Sequence, residues 1–322
     1  MTAYTALKHF HLLTVAISIT LFALRFYWQW RRSPIVGHRW VKIAPHLNDT
    51  LLFVSGIALV VTFGFYPLLG VILVSQSVRR DFPAADVERK LQQLVDEARA
   101  AVPADITQEQ QLDALIELFY KTWGFGGASG VYRLSDAIWL DKVLEGRQGT
   151  PVSLGTIFLH IANALDLPLL PVIFPTQLIL RADWLDEELW LINPLNGETL
   201  SEHQLEVWIK GNLGLGAELE DDDLDESENI MVVRKMLDTL KAALMEEKQL
   251  EMALRTSETV LCFDPEDPYE IRDRGLIYAQ LECNHIAISD LNYFVEQCPE
   301  DPVSEVIKVQ IHSIEPKQVT LH

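Results

Sequence analysis

The residues whose chemistry suggests a nucleophile and a base are Ser153 and His160, which lie in one helix-like stretch. A serine hydroxyl attacks a substrate only when a base within hydrogen-bond reach accepts its proton. In a helix, their spacing of seven residues places the two side chains two turns apart, or roughly 10 Å along the axis. We therefore predict that Ser153 is a hydroxyl at a helix start. Its use as a replacement nucleophile is the alternative.

Other residue types that bind metals or form disulfides show no recognisable spacing. The three cysteines, Cys262, Cys283 and Cys298, have no CxxC spacing and are odd in number, which argues against a zinc ribbon or a disulfide framework. Residues 218–228 hold eight acids in eleven positions but lack the glycine-centred spacing of a calcium loop. We predict buried reduced thiols, a hydrated acidic linker over 216–229, no metal and no cofactor.

One helix and three strands must position any chemistry in this region. The helix presents an apolar stripe, which consists of Leu154, Ile157, Phe158, Ile161 and Leu165. Strand-like runs rich in Val, Ile and Leu follow at 170–174, 177–181 and 188–192. Upstream, Thr107 and Gln110 predict a capping box at the start of one helix, and Ser135 predicts the cap of another.

This stretch resembles the papain-like core of the transglutaminase-like superfamily. The family motif runs Gly-x-Cys-x-x-Phe-Ala, continues through a helix to Leu-Gly-Ile-Pro, and places a histidine and an aspartate on later strands. Residues 149–168 fit it without a gap, but Pro151 takes the cysteine position, Gln177 the histidine and Asn193 the aspartate. Proline has no nucleophile, and glutamine accepts no proton near neutral pH. The resemblance implies a degenerate triad; a helix and hairpin unrelated to any enzyme is the other interpretation.

The C-terminal part contains an internal repeat. Pro265–Pro268 and Pro299–Pro302 both read Pro-Glu-Asp-Pro, at an offset of 34 residues, which is the tetratricopeptide period. One such repeat cannot bury its own apolar face, so neighbouring helices are expected to stack beside it.

The inner helix of this repeat is expected to present a groove to a partner protein or peptide. The residues predicted to face the groove are Tyr269, Arg272, Leu276 and Ala279. The alternative for the apolar pair is that it packs on neighbouring helices.

Charge is divided unevenly along the chain. Residues 1–48 hold six basic residues and no acidic one, whereas the chain as a whole holds 26 basic and 46 acidic residues. The part from Asp49 onward therefore holds 20 basic and all 46 acidic residues. Because neutralisation of phosphates requires clustered Lys and Arg, this part predicts no nucleic-acid partner.

Two apolar runs, Leu7–Trp30 and Leu51–Leu69, have the length of membrane spans. The first ends in aromatic and basic residues and not in a signal-peptide cleavage site. We predict a two-helix membrane hairpin over 1–69. Its basic connector indicates a cytoplasmic loop, which would place both ends of the hairpin outside. The histidines of this region are attributed to interfacial positions, with haem ligation as the alternative; they are His9, His11 and His46.

Longer motifs extend the resemblance. From about residue 70 the chain resembles the soluble SirB family of gammaproteobacteria, through Arg79–Pro83, Gly130–Asp136, Pro171–Gln177 and the repeat. Residues 1–67 resemble the first half of the membrane SirB family, which has about four spans. The resemblance implies a truncated membrane protein joined to a soluble one, at the bacterial inner membrane, with the soluble part cytoplasmic. It also implies regulation of invasion genes, without DNA contact.

Together these observations predict a mainly α-helical α+β protein with a small antiparallel sheet. The predicted parts are a membrane hairpin (1–69), a degenerate transglutaminase-like domain (70–215), an acidic linker (216–229) and tetratricopeptide-like helices (230–322). The predicted function is a non-catalytic interaction and regulatory protein that binds a partner through the repeat and the membrane through residues 1–69. The alternatives are a residual hydrolase or transferase that uses Ser153, and a membrane assembly subunit.

Overall fold

The structure is a computed structural model, and the residues that it describes are 67–130, 133–183, 189–314 and several positions between 13 and 24. Its contacts divide the chain into two compact units, Met1–Tyr66 and Pro67–His322.

The described residues of the first unit, between Leu13 and Leu24, are helical. Within the described positions of the chain, no helix is both long enough and apolar enough to cross a membrane. The predicted hairpin over 1–69 falls almost wholly outside those positions, as do His9, His11 and His46. The structure therefore gives the hairpin no support.

The second unit is mainly helical. Its described α-helices are α1 (Pro67–Val78), α2 (Ala84–Ala101), α3 (Gln108–Ile116), α4 (Leu140–Gly146), α5 (Pro151–Ala164), α6 (Glu202–Leu213), α7 (Asn229–Glu246), α8 (Leu250–Leu261), α9 (Pro268–Gln280), α10 (Asn284–Gln297) and α11 (Pro302–Ile314). A π-helical segment, Glu117–Thr122, extends α3, and 3₁₀ turns lie at Leu134–Ala137 and Asp221–Leu224.

The strands form a short parallel pair and a small antiparallel sheet. The pair consists of β1 (Gly126–Gly127) and β2 (Gln148–Gly149), and the sheet has the order β3 (Leu169–Ile173), β4 (Leu178–Asp183), β5 (Leu189–Ile192) and β6 (Thr199–Leu200). In β4, Leu178, Ile179 and Leu180 are all fully buried. Successive side chains of a strand point to opposite faces, so both faces are covered, one by α5 and the other by α6. The predicted α+β class is confirmed.

Helix α5 begins at a capping box. Thr150 Oγ1 accepts the backbone N–H of Ser153, and the Ser153 hydroxyl accepts the backbone N–H of Thr150 at 2.9 Å. Pro151 is the first helical residue, where a missing N–H leaves no hydrogen bond unmade. Ser153 is therefore a hydroxyl of the helix start, as predicted.

The two predicted caps upstream have different outcomes. Thr107 and Gln110 form the predicted capping box of α3. Ser135 caps no helix; it lies within the turn Leu134–Ala137, where its backbone N–H and its hydroxyl donate to the carboxylate of Glu247 at 2.8 and 2.9 Å. Its partner is 112 residues away, so local sequence gave no sign of this contact.

Helix α1 includes residues 67–69, which the sequence assigned to the end of the second membrane span. The helix belongs to the globular unit, where it packs on α5, α7 and α8 and buries Leu68, Val71 and Val78. An apolar run has the same appearance in sequence whether lipid or protein covers it. The C-terminal end of this run is covered by protein.

The acidic segment predicted as a hydrated linker is docked on the edge of the sheet. Ser227 donates its N–H to the Pro171 carbonyl at 2.9 Å, and its hydroxyl accepts the Ile173 N–H at 2.8 Å. Leu219 and Leu224 pack on the core beside α6. Most of its carboxylates are exposed, so the side chains are hydrated while the backbone covers an edge strand that is otherwise open to pairing.

The predicted tetratricopeptide-like stack consists of the helical pairs α7–α8 and α9–α10, followed by α11; α7, α9 and α11 are its inner helices. The repeated Pro-Glu-Asp-Pro motif starts α9 and α11, where Asp267 accepts two backbone N–H groups of its own helix and Asp301 accepts one. The other oxygen of each aspartate reaches the preceding inner helix, Asp267 to Arg234 and Asp301 to the Tyr269 hydroxyl. The repeat therefore encodes both a cap and a tie between helices.

A buried charge network joins α7 to α9. Lys241, with a side chain 7% exposed, donates to Glu270 at 2.6 Å and lies 2.9 Å from Asp273. Glu270, 2% exposed, also accepts the Ser257 hydroxyl of α8 at 2.5 Å. Burial by itself lowers the pKa of Lys241, but Asp273 and Glu270 outweigh burial and raise that pKa above its usual value. The lysine is therefore charged at neutral pH.

Removal of one charge from this network is expected to cost much more than removal of a surface charge. In Lys241→Met, Glu270 stays buried without its cation, and we expect the free energy of unfolding to fall by about 3–5 kcal/mol. Lys241→Met/Glu270→Leu is expected to recover most of this loss, because it leaves no unpaired charge from that pair. Urea unfolding followed by circular dichroism measures both.

The matched control for this prediction is Lys90→Met, since Lys90 pairs with Asp86 at 3.0 Å on the surface of α2. Its expected loss is below about 1 kcal/mol. An equal loss in the Lys90 and Lys241 variants would contradict the buried-pair interpretation.

Candidate functional site

The three positions that correspond to the transglutaminase-like triad lie at one end of the layer formed by α5, β4 and β5. Pro151 is the first residue of α5, Gln177 directly precedes β4, and Asn193 directly follows β5. A Cβ on Gly155, one turn into α5, would lie 2.6 Å from the residue after Gln177 and 3.4 Å from the residue after Asn193. The first turn of α5 therefore lies close to the start of β4 and to the residue after Asn193, and the three positions hold proline, glutamine and asparagine.

The replacement nucleophile considered from the sequence, Ser153, is not available to a substrate in this arrangement. Its side chain is fully buried, and its hydroxyl donates to the Ala137 carbonyl at 2.7 Å. His160 is on the same helix, and burial lowers its pKa to about 4, so the ring is neutral at pH 7. Among the described contacts, no hydrogen bond joins the two side chains.

Asn193, at the aspartate position, holds a turn. Its Oδ1 accepts the Leu195 N–H at 3.0 Å, and its backbone N–H donates to the Glu198 carbonyl at 2.9 Å. The Tyr120 hydroxyl supports the same turn by donating to the Pro194 carbonyl at 2.9 Å. Burial raises the pKa of Tyr120, so this donor keeps its proton. The Asn193 side chain therefore stabilises the turn that follows β5.

Gln177, at the histidine position, has a different environment. Its Nε2 atom is buried and donates to no acceptor within the described residues. An amide does not titrate near neutral pH and cannot serve as a general base. We have no structural account of this unpaired amide.

The environments of the metal-ligand residue types and of the cysteines can be compared with the sequence prediction. Within the described parts of the chain, no group of three His, Cys, Asp or Glu residues is placed to hold a metal ion. Cys262 and Cys283 are exposed and Cys298 is half-buried, so the expectation of buried thiols is wrong for the first two.

The four predicted groove residues of α9 have unequal environments. Tyr269 is 47% exposed. Arg272 donates to Asp273 at 2.6 Å and lies over the rings of Tyr269 and Phe294. Leu276 packs against the core between α10 and α11, and Ala279 is half-buried. Of the four, only Tyr269 is exposed, and the exposed part of this surface is thus its N-terminal half, where the half-buried Arg272 lies beside that ring.

A cavity of about 270 Å³ opens beside that half, between α7 and α9. The residues that line it are Arg234, Asp238, Lys241, Ala242, Met245, Tyr269, Glu270 and Asp273. Of the predicted residues only Tyr269 is among them. The sequence interpretation missed the α7 side because it placed the groove on the recognised repeat alone. The signal present was the charged series at positions 234, 238 and 241, which recurs on one side of α7 at helical spacing.

Comparisons with known families match three successive parts of the chain. Residues 85–238 match a profile described as transglutaminase-like superfamily. Residues 240–312 match a profile described as tetratricopeptide repeat. Residues 4–75 match a profile described as invasion gene expression up-regulator, SirB. A crystal structure of menin covers 77% of this chain with a TM-score of 0.34 and 9% identity, which is too weak to carry an argument.

Curated relatives cover most of the chain. The UPF0162 protein YchA of Escherichia coli K12 and protein SirB1 of Salmonella typhimurium are each 62% identical over 253 residues, which is 79% of this chain and 94% of each relative. A UPF0162 protein of Vibrio cholerae is 42% identical over 72% of this chain and 87% of its own length. On this evidence the chain belongs to the UPF0162 family, that of SirB1 and YchA.

Proposed function

We propose that this protein is a non-catalytic interaction and regulatory protein, in which the transglutaminase-like domain is a scaffold and the tetratricopeptide-like helices bind a partner protein or peptide. The observation that carries the proposal is the start of α5. Pro151 stands at the nucleophile position, and the nearby Ser153 hydroxyl is fully buried and donates to a backbone carbonyl. Nucleophilic catalysis needs an activated group that a substrate can reach.

The binding part of the proposal is supported by the helical stack. Tetratricopeptide repeats generally mediate protein–protein interactions, and stacked repeats form extended concave surfaces. Here the surface between α7 and α9 combines an open cavity with the half-exposed ring of Tyr269. Tyrosine and arginine are among the residue types enriched at binding hot spots, and the half-buried Arg272 lies over the Tyr269 ring.

The regulatory part of the proposal is supported by the family. The name of the matching profile is invasion gene expression up-regulator, and one relative is named SirB1. The net charge of −20 opposes approach to the DNA backbone. We therefore propose regulation through protein contacts.

If the protein is non-catalytic, a serine-directed fluorophosphonate probe is expected to leave the native chain unlabelled. The physical reason is that Ser153 is buried and that its hydrogen-bond partners in the described part of the chain, Thr150 and Ala137, are not bases. Gel fluorescence and intact mass measure labelling, with Ser77→Ala as a control for an exposed serine. Labelling that is lost in Ser153→Ala but kept in Ser77→Ala would favour the competing proposal, a residual hydrolase or transferase.

If the groove binds a partner, the double variant Tyr269→Ala/Arg272→Glu is expected to lower partner recovery at least about tenfold, which corresponds to about 1.4 kcal/mol. The full chain is tagged in its own bacterium and co-purified proteins are quantified by mass spectrometry. The matched control is Phe263→Ala/Lys248→Glu, which changes two exposed residues outside the predicted groove set. Equal recovery by the two double variants would refute the groove assignment, provided that both melt as the wild type does.

Membrane attachment through the N-terminal part of the chain, predicted over 1–69, is also part of the proposal for residues 1–66, which hold the run Leu7–Trp30 and most of the run Leu51–Leu69. We expect the full chain in the membrane fraction and a chain that begins at Pro67 in the soluble fraction, folded. A chain that begins at Arg79 is expected to unfold, because it lacks the buried side chains of α1, each worth about 1.5–3 kcal/mol. Fractionation and circular dichroism measure this.

The side of the membrane is tested with the same strain. The family resemblance predicts that protease added to intact spheroplasts spares the globular unit, whereas the positive-inside rule predicts cleavage. A full chain found only in the soluble fraction would refute the attachment itself.

A further inference from the structure

We propose that the cavity between α7 and α9 receives a cationic side chain, that of an arginine or a lysine, from the partner, and that Asp238 is the carboxylate that meets it. This inference rests on the proposed function, because it names the chemistry of the segment that the groove binds.

The charges around the cavity leave it negative. Its lining holds two cations, Arg234 and Lys241, and three carboxylates, Asp238, Glu270 and Asp273. Both cations are already engaged. Lys241 donates to Glu270 at 2.6 Å and lies 2.9 Å from Asp273, and Arg234 donates to Asp267 beyond the cavity. An anionic partner group would therefore have to displace existing ion pairs.

Among the three lining carboxylates, Asp238 has unused capacity. Glu270 accepts from Lys241 and Ser257, and Asp273 accepts from Arg272. Asp238 lies 3.8 Å from both Arg234 and Lys241, beyond hydrogen-bond distance, and accepts no side-chain hydrogen bond in the described part of the chain. Its side chain is 40% exposed.

The electrostatic state of Asp238 supports the same conclusion. Partial burial raises the pKa of Asp238 above its usual value, and the nearby Lys241, Arg234 and Lys235 do not fully offset this effect. A carboxylate in this state gains stabilisation from a further cation. A charge-assisted hydrogen bond from a guanidinium or an ammonium group supplies this stabilisation.

The rest of the cavity suits the stem of a long basic side chain. Ala242 and Met245 line the α7 side, and the half-exposed ring of Tyr269 lines the α9 side. Lysine and arginine pack their methylene stems on apolar surfaces of this kind while the charged end reaches a polar partner. The net charge of −20 would also draw a basic segment toward the chain before contact.

Selection of peptides tests this proposal without knowledge of the natural partner. Random dodecapeptides displayed on phage are selected on the immobilised full chain in mild detergent. Enriched peptides are synthesised, and their dissociation constants are measured by fluorescence polarisation. We expect aligned peptides to share one arginine or lysine, and its replacement by glutamine to weaken binding about tenfold.

Two variants probe the protein side. Asp238→Asn removes the charge, and Ala242→Leu fills the cavity from an exposed helical position without a change of charge. Each is expected to weaken binding of the selected peptides about tenfold. Asp238→Glu is expected to retain most of the binding. The control Glu251→Gln removes one negative charge from an exposed position of α8 and is expected to change binding by less than about twofold.

The outcomes separate this inference from the proposed function. Peptides without a basic residue that bind Asp238→Asn as well as wild type, but lose binding in Tyr269→Ala/Arg272→Glu, would overturn the inference and leave the groove in place. Selected basic peptides that are equally weakened by Glu251→Gln would also overturn it, since the effect would then be one of net charge. Failure to select any peptide would overturn both proposals.

Discussion

The close packing of α5 on β4 is the contact on which the rest of the globular unit depends. It exists because Gly155 has no side chain; a Cβ there would lie 2.6 Å from Leu178 Cδ2. Protein interiors are packed too tightly to absorb such an overlap without movement. This contact fixes the sheet under α5, and the sheet in turn provides the edge on which the acidic segment docks and the face that α6 covers.

The same contact explains how an enzyme-like layout persists with different residues. The positions of Pro151, Gln177 and Asn193 are set by where α5 starts, β4 starts and β5 ends, and backbone packing determines all three. Pro151 suits the first turn of a helix, and Asn193 suits a turn that closes on its own backbone. Residues at these positions fit the scaffold, and of the three only Gln177 has a buried side-chain atom without a hydrogen-bond partner in the described part of the chain.

Local sequence patterns predicted several interactions whose two partners lie close together in the chain. The capping box of Thr107 and Gln110, the start of α5 and the 34-residue repeat are of this kind, and each was predictable from spacing. Ser135 was misassigned because its partner, Glu247, is 112 residues away. The charged series that includes Asp238 is visible in the sequence, but the cavity that it lines is not, since that cavity forms only when α9 packs beside α7. The acidic segment was interpreted from its carboxylates, although the backbone N–H and the hydroxyl of Ser227 attach it to the edge of the sheet.

Helix α7 belongs to both halves of the globular unit. One side of it packs on α1, α5, β3 and the turn at Leu134–Ala137, and another side lines the cavity against α9. The two family profiles nevertheless meet within it, since one ends at residue 238 and the other begins at residue 240. A recombination event at that boundary would cut a helix in which Met236, Leu237 and Leu240 are buried. The two parts are therefore separable as sequence families but not as exchangeable modules, and in this lineage they are expected to be inherited and lost as a single gene segment.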